Sequence, residues 1–383
     1  MRKIIFIFLF ISLLISCSAN NAKKGKINMN ANVYQIGQAV ENTYQSFVNG
    51  DENKFSIVII PDSQSYLDFR SQKSLFYPVN QYEIYYRQME FIKNNSVKNG
   101  GDFSFAIHVG DHVDHRSWNM TEWKRAAEGL SIINNEIPFL TVIGNHDYDR
   151  WGKGKSPTGT KLYKKYFGPE TEFYKDKEWF GGATENGANM YAYFAACNKK
   201  FLVIGLELNP TQKDIDWATQ IINENKGLPT IFVTHSYLKG SKEDDDKSQN
   251  KLAGAYADLK EHKFSAKEVW DSFISVNDQI FLIICGHISK EGFRLDKNQA
   301  GNTTYAIMAD YQDEDKYLEY IGIKRKNVHA CGDGWLKTLN FDFNENTIQV
   351  KTWSTEFNEY KTDPGCELTL DIDWDWDQRF SAD

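Results

Sequence analysis

Phe103-Ser104-Phe105-Ala106-Ile107-His108-Val109-Gly110-Asp111-His112-Val113-Asp114-His115 decides the fold. Residues 103–109 form a short apolar run rich in Phe, Ile and Val, which is how a strand buried on both faces reads. It breaks at Gly110 into a turn loaded with acids and imidazoles. The same grammar recurs on either side. Residues 55–60 run into Pro61-Asp62-Ser63-Gln64, and residues 139–143 run into Gly144-Asn145-His146-Asp147. Residues 230–234 run into His235, and residues 281–285 into Gly286-His287. Five apolar runs thus end in Asp, Asn, Gln or His. In α/β sheets ligands bind outside the carboxyl ends of strands, so these turns can converge on one site.

Between the runs lie stretches with helical spacing. Residues 81–94 carry Tyr82, Tyr85, Tyr86, Met89 and Ile92, and residues 121–135 and 213–225 read similarly. Residues 265–276 fit a further helix with Ser265 as N-cap. Alternating strand and helix argues for an α/β layered core. Toward the end, residues 335–343 and 347–352 alternate around Asn344-Glu345-Asn346, which predicts an antiparallel hairpin and hence a mixed sheet. Residues 239–251 are charged and aperiodic, the mark of a surface loop. Residues 150–187 are long, aromatic and Gly-containing, and read as an ordered surface excursion or a cap over substrate. In residues 371–377 Asp alternates with Ile or Trp, which predicts an edge strand, with carbohydrate contact by Trp374 and Trp376 as the alternative.

Composition narrows the class. The chain has 383 residues, 41% hydrophobic and 25% charged, which excludes a disordered or multi-span membrane protein. Its net charge of −8 lacks the basic footprint of a stable nucleic-acid binder. Arg2 and Lys3 precede an apolar run, residues 4–15, too short for a comfortable membrane span. The run closes on Leu14-Ile15-Ser16-Cys17, which resembles a bacterial lipobox; the resemblance implies export, lipidation of Cys17 and cleavage before it. Loss of Arg2 and Lys3 takes the net charge from −8 to −10. The organisation expected is a signal peptide over 1–16, a lipidated tether over 17–50, one catalytic domain over 51–360 and an extension over 361–383. Cys197 and Cys285 read as buried thiols. A bridge between Cys331 and Cys366 is open, and no paired C-x-x-C spacing marks a structural zinc site.

An Asp after a strand is commonly a turn former, and Asn in a glycine turn has an ordinary backbone explanation. The ordered combination has neither. Carboxylates, an amide oxygen and imidazoles suit two Mn, Fe or Zn ions bridged by one carboxylate. Here the chain resembles the calcineurin-like metallophosphoesterase superfamily, whose pattern is D-x-H, G-D-x-x-D, G-N-H-[DE], a lone His and G-H-x-H. The resemblance implies a four-layer α/β/β/α sandwich of two mixed sheets and two divalent metal ions. It implies Asp111 as the bridge, Asp62 and Gln64 on the first metal, and Asn145, His235 and His287 on the second. It implies His146 as acid or transition-state stabiliser, with Asp147 orienting it, and in-line attack of a metal-activated water on phosphorus. Asp114 is expected in a supporting role, and His115 as a substrate contact. His108 reads as structural, and His262 and His329 stand in no motif.

Two positions depart from the pattern. Gln64 stands where a His is usual, and Ser289 replaces the last His of G-H-x-H. Both changes weaken the first metal site, since amide and hydroxyl oxygens are poorer donors than imidazole toward Zn or Fe. The Pro-Asp-x-Gln form, Ala309-Asp310-Tyr311-Gln312 and Gly332-Asp333-Gly334-Trp335-Leu336 resemble one branch of these phosphohydrolases, and Asp310 or Gln312 is a candidate to complete the depleted site. The function implied is hydrolysis of a phosphodiester or nucleotide-type substrate outside the cytoplasm, by a protein held to a membrane through lipid on Cys17, at a periplasmic face or the cell surface. A phosphomonoesterase and a non-catalytic phosphate- or glycan-binding lipoprotein are the alternatives.

Overall fold

The computed structural model describes residues 51–72, 80–115, 119–151, 157–239, 250–254, 263–316, 319, 322 and 332–381. The expected signal peptide, Cys17 and tether, most of the charged 239–251 stretch, His262, His329 and Cys331 lie outside them. No helix among the described residues is long and apolar enough to cross a membrane.

Fourteen strands build two large sheets. In chain order they are β1 (Lys54–Ile60), β2 (Phe103–His108), β3 (Phe139–Thr141), β4 (Phe180–Ala183), β5 (Met190–Ala196), β6 (Lys199–Leu206) and β7 (Thr230–Thr234). They continue as β8 (Ile280–Cys285), β9 (Glu291–Lys297), β10 (Thr303–Ala309), β11 (Trp335–Asp342), β12 (Thr347–Ser354), β13 (Glu359–Lys361) and β14 (Leu368–Asp371). The helices that matter for packing are α1 (Tyr82–Asn94), α2 (Met120–Ser131), α3 (Lys161–Phe167) and α4 (Gln212–Glu224). The first sheet runs β13-β12-β11-β1-β2-β3, with β14 also paired to β12. The second runs β9-β10-β8-β7-β6-β5-β4. Each has a parallel half: β1, β2 and β3 in one, and β6, β7, β8 and β10 in the other. The expected hairpin forms, β11 against β12 in antiparallel register from Trp335↔Ser354 to Asp342↔Thr347.

The sheets pack face to face through aromatic rings. Phe55 of β1 lies 5.1 Å from Phe201 of β6 and 6.0 Å from Phe194 of β5, centroid to centroid. Gly205 lets them close: a Cβ there would sit 2.8 Å from Val142 and 2.9 Å from Leu140. Alternation along β6 then sends Phe201 and Val203 inward, and Leu202, Ile204 and Leu206 to the outer face. That outer face is covered by α4, through Ile215, Ala218 and Ile222. The first sheet's cluster takes in α1 and α2. The layers are therefore α/β/β/α, and strands covered on both sides explain the unbroken apolar runs.

Local sequence sets the helix starts. Asn119 Oδ1 accepts from Thr121 N to open α2. Asp214 accepts the N–H of Thr211 at 2.7 Å in a capping box that opens α4. Ser265 caps its helix through Glu268 as expected, but only Ala266–Val269 is α-helical and Trp270–Ile274 widens into a π-turn. The wider turn lets the adjacent Phe273 and Ile274 both reach the core.

Residues 157–187 are ordered and packed inward: α3 and the turns after it bury Tyr163, Phe167, Phe173, Tyr174 and Trp179. The C-terminal tail corrects a reading. The edge strand stops at Asp371, and Trp374 and Trp376 are buried rather than offered to a glycan. Trp376 packs 5.3 Å from Phe281 and 4.5 Å from Phe343. Arg379 lies 4.1 Å over Trp374 and donates to the carbonyls of Asp278 and Thr303. Residues 368–381 thus close the same core as the rest. Cys197, Cys285 and Cys366 are free and buried.

The aromatic seam generates a stability prediction. Phe55→Ala is expected to cost about 3–5 kcal/mol, read as a lower urea midpoint with an unchanged m-value.

Candidate metal centre and active site

Six parallel or parallel-adjacent strand ends deliver polar side chains to one place. Asp62 follows β1, Asp111 follows β2, Asn145 follows β3, His235 follows β7, His287 follows β8 and Asp310 follows β10. His235 is at the centre. Its Nδ1 lies 2.8 Å from the carbonyl of Val109, so Nδ1–H donates there and Nε2 is the nitrogen turned toward the cluster. That Nε2 lies 3.1 Å from Asn145 Oδ1, 3.3 Å from Asp111 Oδ2 and 4.0 Å from Asp62 Oδ2. Donor atoms of Asp111, His235 and His287 all lie within 4.8 Å of one another.

The backbone is bent to achieve this. Asp111 and His287 have φ of 50° and 74°, in the left-handed region that non-glycine residues seldom occupy. The glycines before Asp111, Asn145 and His287 make room. A Cβ on Gly144 would meet Asp111 Oδ1 at 2.2 Å, and one on Gly286 would meet Asp62 Oδ1 at 2.3 Å.

The electrostatics call for cations. Asp62, Asp111 and Asp310 are all buried, and among the described residues no lysine or arginine pairs with them. Burial, then Asp310 and Asp111, hold the Asp62 carboxyl well above the ordinary range. Burial pushes Asp310 up to about 7. Burial also opposes ionisation of Asp111, but the neighbouring His235 and His146 outweigh it and hold that carboxyl low. Burial takes His287 down to about 4, keeping it a neutral donor. Burial opposes a charge on His235, but Asp111 outweighs it and holds that imidazole above its ordinary range. Crowded carboxylates beside imidazoles are the donor set of a divalent metal site. Gln64 adds to the fit, because its Oε1 is buried and has no hydrogen-bond partner. Ser289 does not: its Oγ accepts from the N–H of Asp313.

The expected His146–Asp147 couple is replaced by two others. Asp147 is buried and accepts from His112 N at 2.7 Å and from Gly144 N at 2.9 Å, with its Oδ2 2.9 Å from His112 Nδ1. It therefore locks the loop after β2 to the loop after β3 and orients His112. His146 instead meets Asp114, with Nδ1 2.8 Å from its carbonyl oxygen, and its backbone N–H donates to Asp111 Oδ1 at 2.7 Å. The reason is direction: the turn at Gly144 sends Asp147 into the core and leaves His146 partly exposed.

His108 is structural as expected. It is buried, bonded to Ser63, and stacked 3.9 Å from His112. His115 joins a second cluster, 2.9 Å from Glu122 Oε1 and 3.1 Å from Asp114 Oδ2. Glu122, which stands in no motif, is buried and also accepts the N–H groups of Phe69, Asp114 and His115. Asp310, expected from the resemblance as a candidate for the depleted site, is also a sixth strand end. Its strand β10, Thr-Thr-Tyr-Ala-Ile-Met-Ala, was legible as an apolar run of the same kind.

A family model described as calcineurin-like phosphoesterase matches residues 55–291. No curated protein matches the chain in sequence. Among solved structures, a dimetal phosphatase from Danio rerio is similar at 11% identity and a TM-score of 0.48, over 83% of this chain and 99% of that one. A 5'-nucleotidase from Candida albicans is similar at 11% identity and a TM-score of 0.40, over 87% of this chain and 55% of that one.

The loop geometry makes two substitutions informative. Gly144→Ala drives a methyl group into Asp111, so Mn²⁺ binding by equilibrium dialysis is expected to weaken while far-UV circular dichroism is unchanged. Asp147→Ala strips a buried His112 of its partner and is expected to cost about 1–3 kcal/mol in urea unfolding, a loss that added metal does not restore.

Proposed function

The chain belongs to the calcineurin-like phosphoesterase family, and from that premise we propose that it is a metal-dependent phosphodiesterase or nucleotide-type hydrolase acting outside the cytoplasm. The carrying observation is the buried cluster of Asp62, Asp111 and Asp310 around His235. Divalent cations held there by Asp62, Gln64, Asp111, Asn145, His235 and His287 would polarise the phosphoryl group and lower the pKa of water.

The chain's own residues do the rest. His146 has Nδ1 fixed on the Asp114 carbonyl, so a proton passed to or from the leaving oxygen travels through Nε2. Its backbone N–H holds the orientation of Asp111. Asp147 keeps both loops in register from below. Phe69 packs edge-on to His115 at 5.0 Å, and His115 shares Asp114 with His146. In this reading His115 is a substrate contact.

Export and anchoring rest on the motif at residues 2–17. Cys17→Ser is expected to abolish incorporation of a labelled fatty acid in a bacterial host and to release the chain from the membrane fraction. Persistent labelling would refute the lipobox.

The activity is tested on the full chain, purified in detergent with added Mn²⁺, using bis(p-nitrophenyl) phosphate beside p-nitrophenyl phosphate. Faster turnover of the diester is expected, and Asp111→Ala or His235→Ala should each lower it by about 100-fold or more. Faster turnover of the monoester would make the protein a phosphatase. Silence on both esters with Mn²⁺ bound would turn the reading toward a non-catalytic binder.

A further inference from the structure

Gln64 is an ambiguous ligand, because an amide can present either its oxygen or its NH₂ group. The structure contains a chain of hydrogen bonds that removes the ambiguity. Gln312 donates its backbone N–H to Asp310 Oδ1 at 3.0 Å and its side-chain Nε2 to Asp310 Oδ2 at 2.9 Å. Gln64 Nε2 in turn donates to Gln312 Oε1. Gln64 Oε1 is then the open end, buried and unpartnered. Gln64 stands two residues after Asp62, and its own N–H is held by the Asp111 carbonyl at 2.9 Å. The relay therefore runs from the loop after β10 to the loops that carry the cluster.

The direction of every link is set by chemistry. An ionised Asp310, the form that bound cations favour, only accepts, so Gln312 must offer it NH₂. Gln312 then has only oxygen to offer Gln64, which must answer with NH₂ and keep its own oxygen for the pocket. We propose that Asp310, acting through Gln312, is the positioning residue that turns the Gln64 carbonyl oxygen toward the first metal. The proposal rests on the two-metal reading above. It gives a physical reason why an amide can serve where the family pattern carries an imidazole, and assigns Asp310 a part without making it a ligand.

Asp310→Asn tests it, because the backbone N–H of Gln312 cannot turn over. The single oxygen of Asn stays on that N–H, and its NH₂ group faces the Gln312 side chain. Gln312 flips to accept, Gln64 flips in response, and NH₂ replaces oxygen at the metal. Binding of Mn²⁺ to the full chain, followed by equilibrium dialysis and by the electron paramagnetic resonance of the bound ion, is expected to show the weaker site loosened about 10- to 100-fold. Gln312→Leu breaks the relay without touching the carboxylate and should loosen the same site, so the test survives if Asp310→Asn fails to fold. Adding Gln64→His to either variant should restore binding, since imidazole ligates without needing the relay. Wild-type affinity in both single variants would overturn the proposal. So would a loss that Gln64→His leaves unrepaired, which would make Asp310 a ligand in its own right. These readouts do not involve turnover. A chain that binds Mn²⁺ as described but cleaves neither ester sinks the phosphodiesterase reading and leaves the relay standing.

Discussion

Like-charge crowding is the constraint on which the rest of this structure depends. Asp62, Asp111 and Asp310 are buried together at the ends of parallel strands, and two of them are held reluctant to ionise by burial and by one another. In a pocket of low dielectric such an arrangement is costly without compensating positive charge. Lysine or arginine could have supplied it, and Lys337 shows that the fold tolerates a buried lysine elsewhere, its Nζ donating to the carbonyl of Gly365. At the cluster the positive charge is left to ions. Stability and activity are thereby coupled, because an ion in the pocket also relieves its repulsion.

Holding such a cluster open is the work of the backbone. Parallel strands from two sheets end side by side, and their loops must turn sharply enough for side chains from opposite sheets to meet. Glycine at 110, 144 and 286 permits the turns and the close approach. Asp111 and His287 carry the remaining strain in left-handed conformations. Asp147 is the clamp that makes the strain sustainable, since one carboxylate holds a backbone N–H from each of two neighbouring loops. A residue that the motif would make a partner of the exposed imidazole is thus a structural tie, and the exposed imidazole takes its orientation from a backbone carbonyl. A backbone carbonyl has no sequence signature, which is why that contact could not be read from the chain.

The same distinction separates the legible elements from the rest. Strands covered on both faces write themselves as apolar runs, so β1, β2, β6, β7 and β8 were readable, and so were the polar residues at their ends. The hairpin of β11 and β12 was readable from its alternation. The π-turn at Trp270–Ile274 was not, because its periodicity differs from that of an α-helix by less than one residue per turn. The Asp-Trp alternation near the end read as a solvent-facing edge. Only tertiary contact with Phe281 and Phe343 shows that Trp374 and Trp376 are core. Glu122 was invisible for a related reason. Its value lies in three backbone N–H groups, that of Phe69 from the loop after β1 and those of Asp114 and His115 from the loop after β2, and pairing to backbone leaves no pattern in side chains.

The two proposed metal positions differ in kind. Asn145, His235 and His287 include two imidazoles, one kept neutral by burial and the other presenting Nε2 because Nδ1 is bound to a carbonyl. Imidazole favours Zn, Fe and other borderline ions. Asp62 and Gln64 offer only oxygen, with Ser289 committed elsewhere. An all-oxygen set suits Mn or Mg and binds more weakly, since neutral amide and hydroxyl donors contribute less than imidazole. Asp111 spans both. An ion that exchanges readily at the oxygen-rich position, beside one held firmly by nitrogen, would make the enzyme responsive to the metal content of its surroundings. The orientation of a single amide, Gln64, then governs how strongly the exchangeable ion is held.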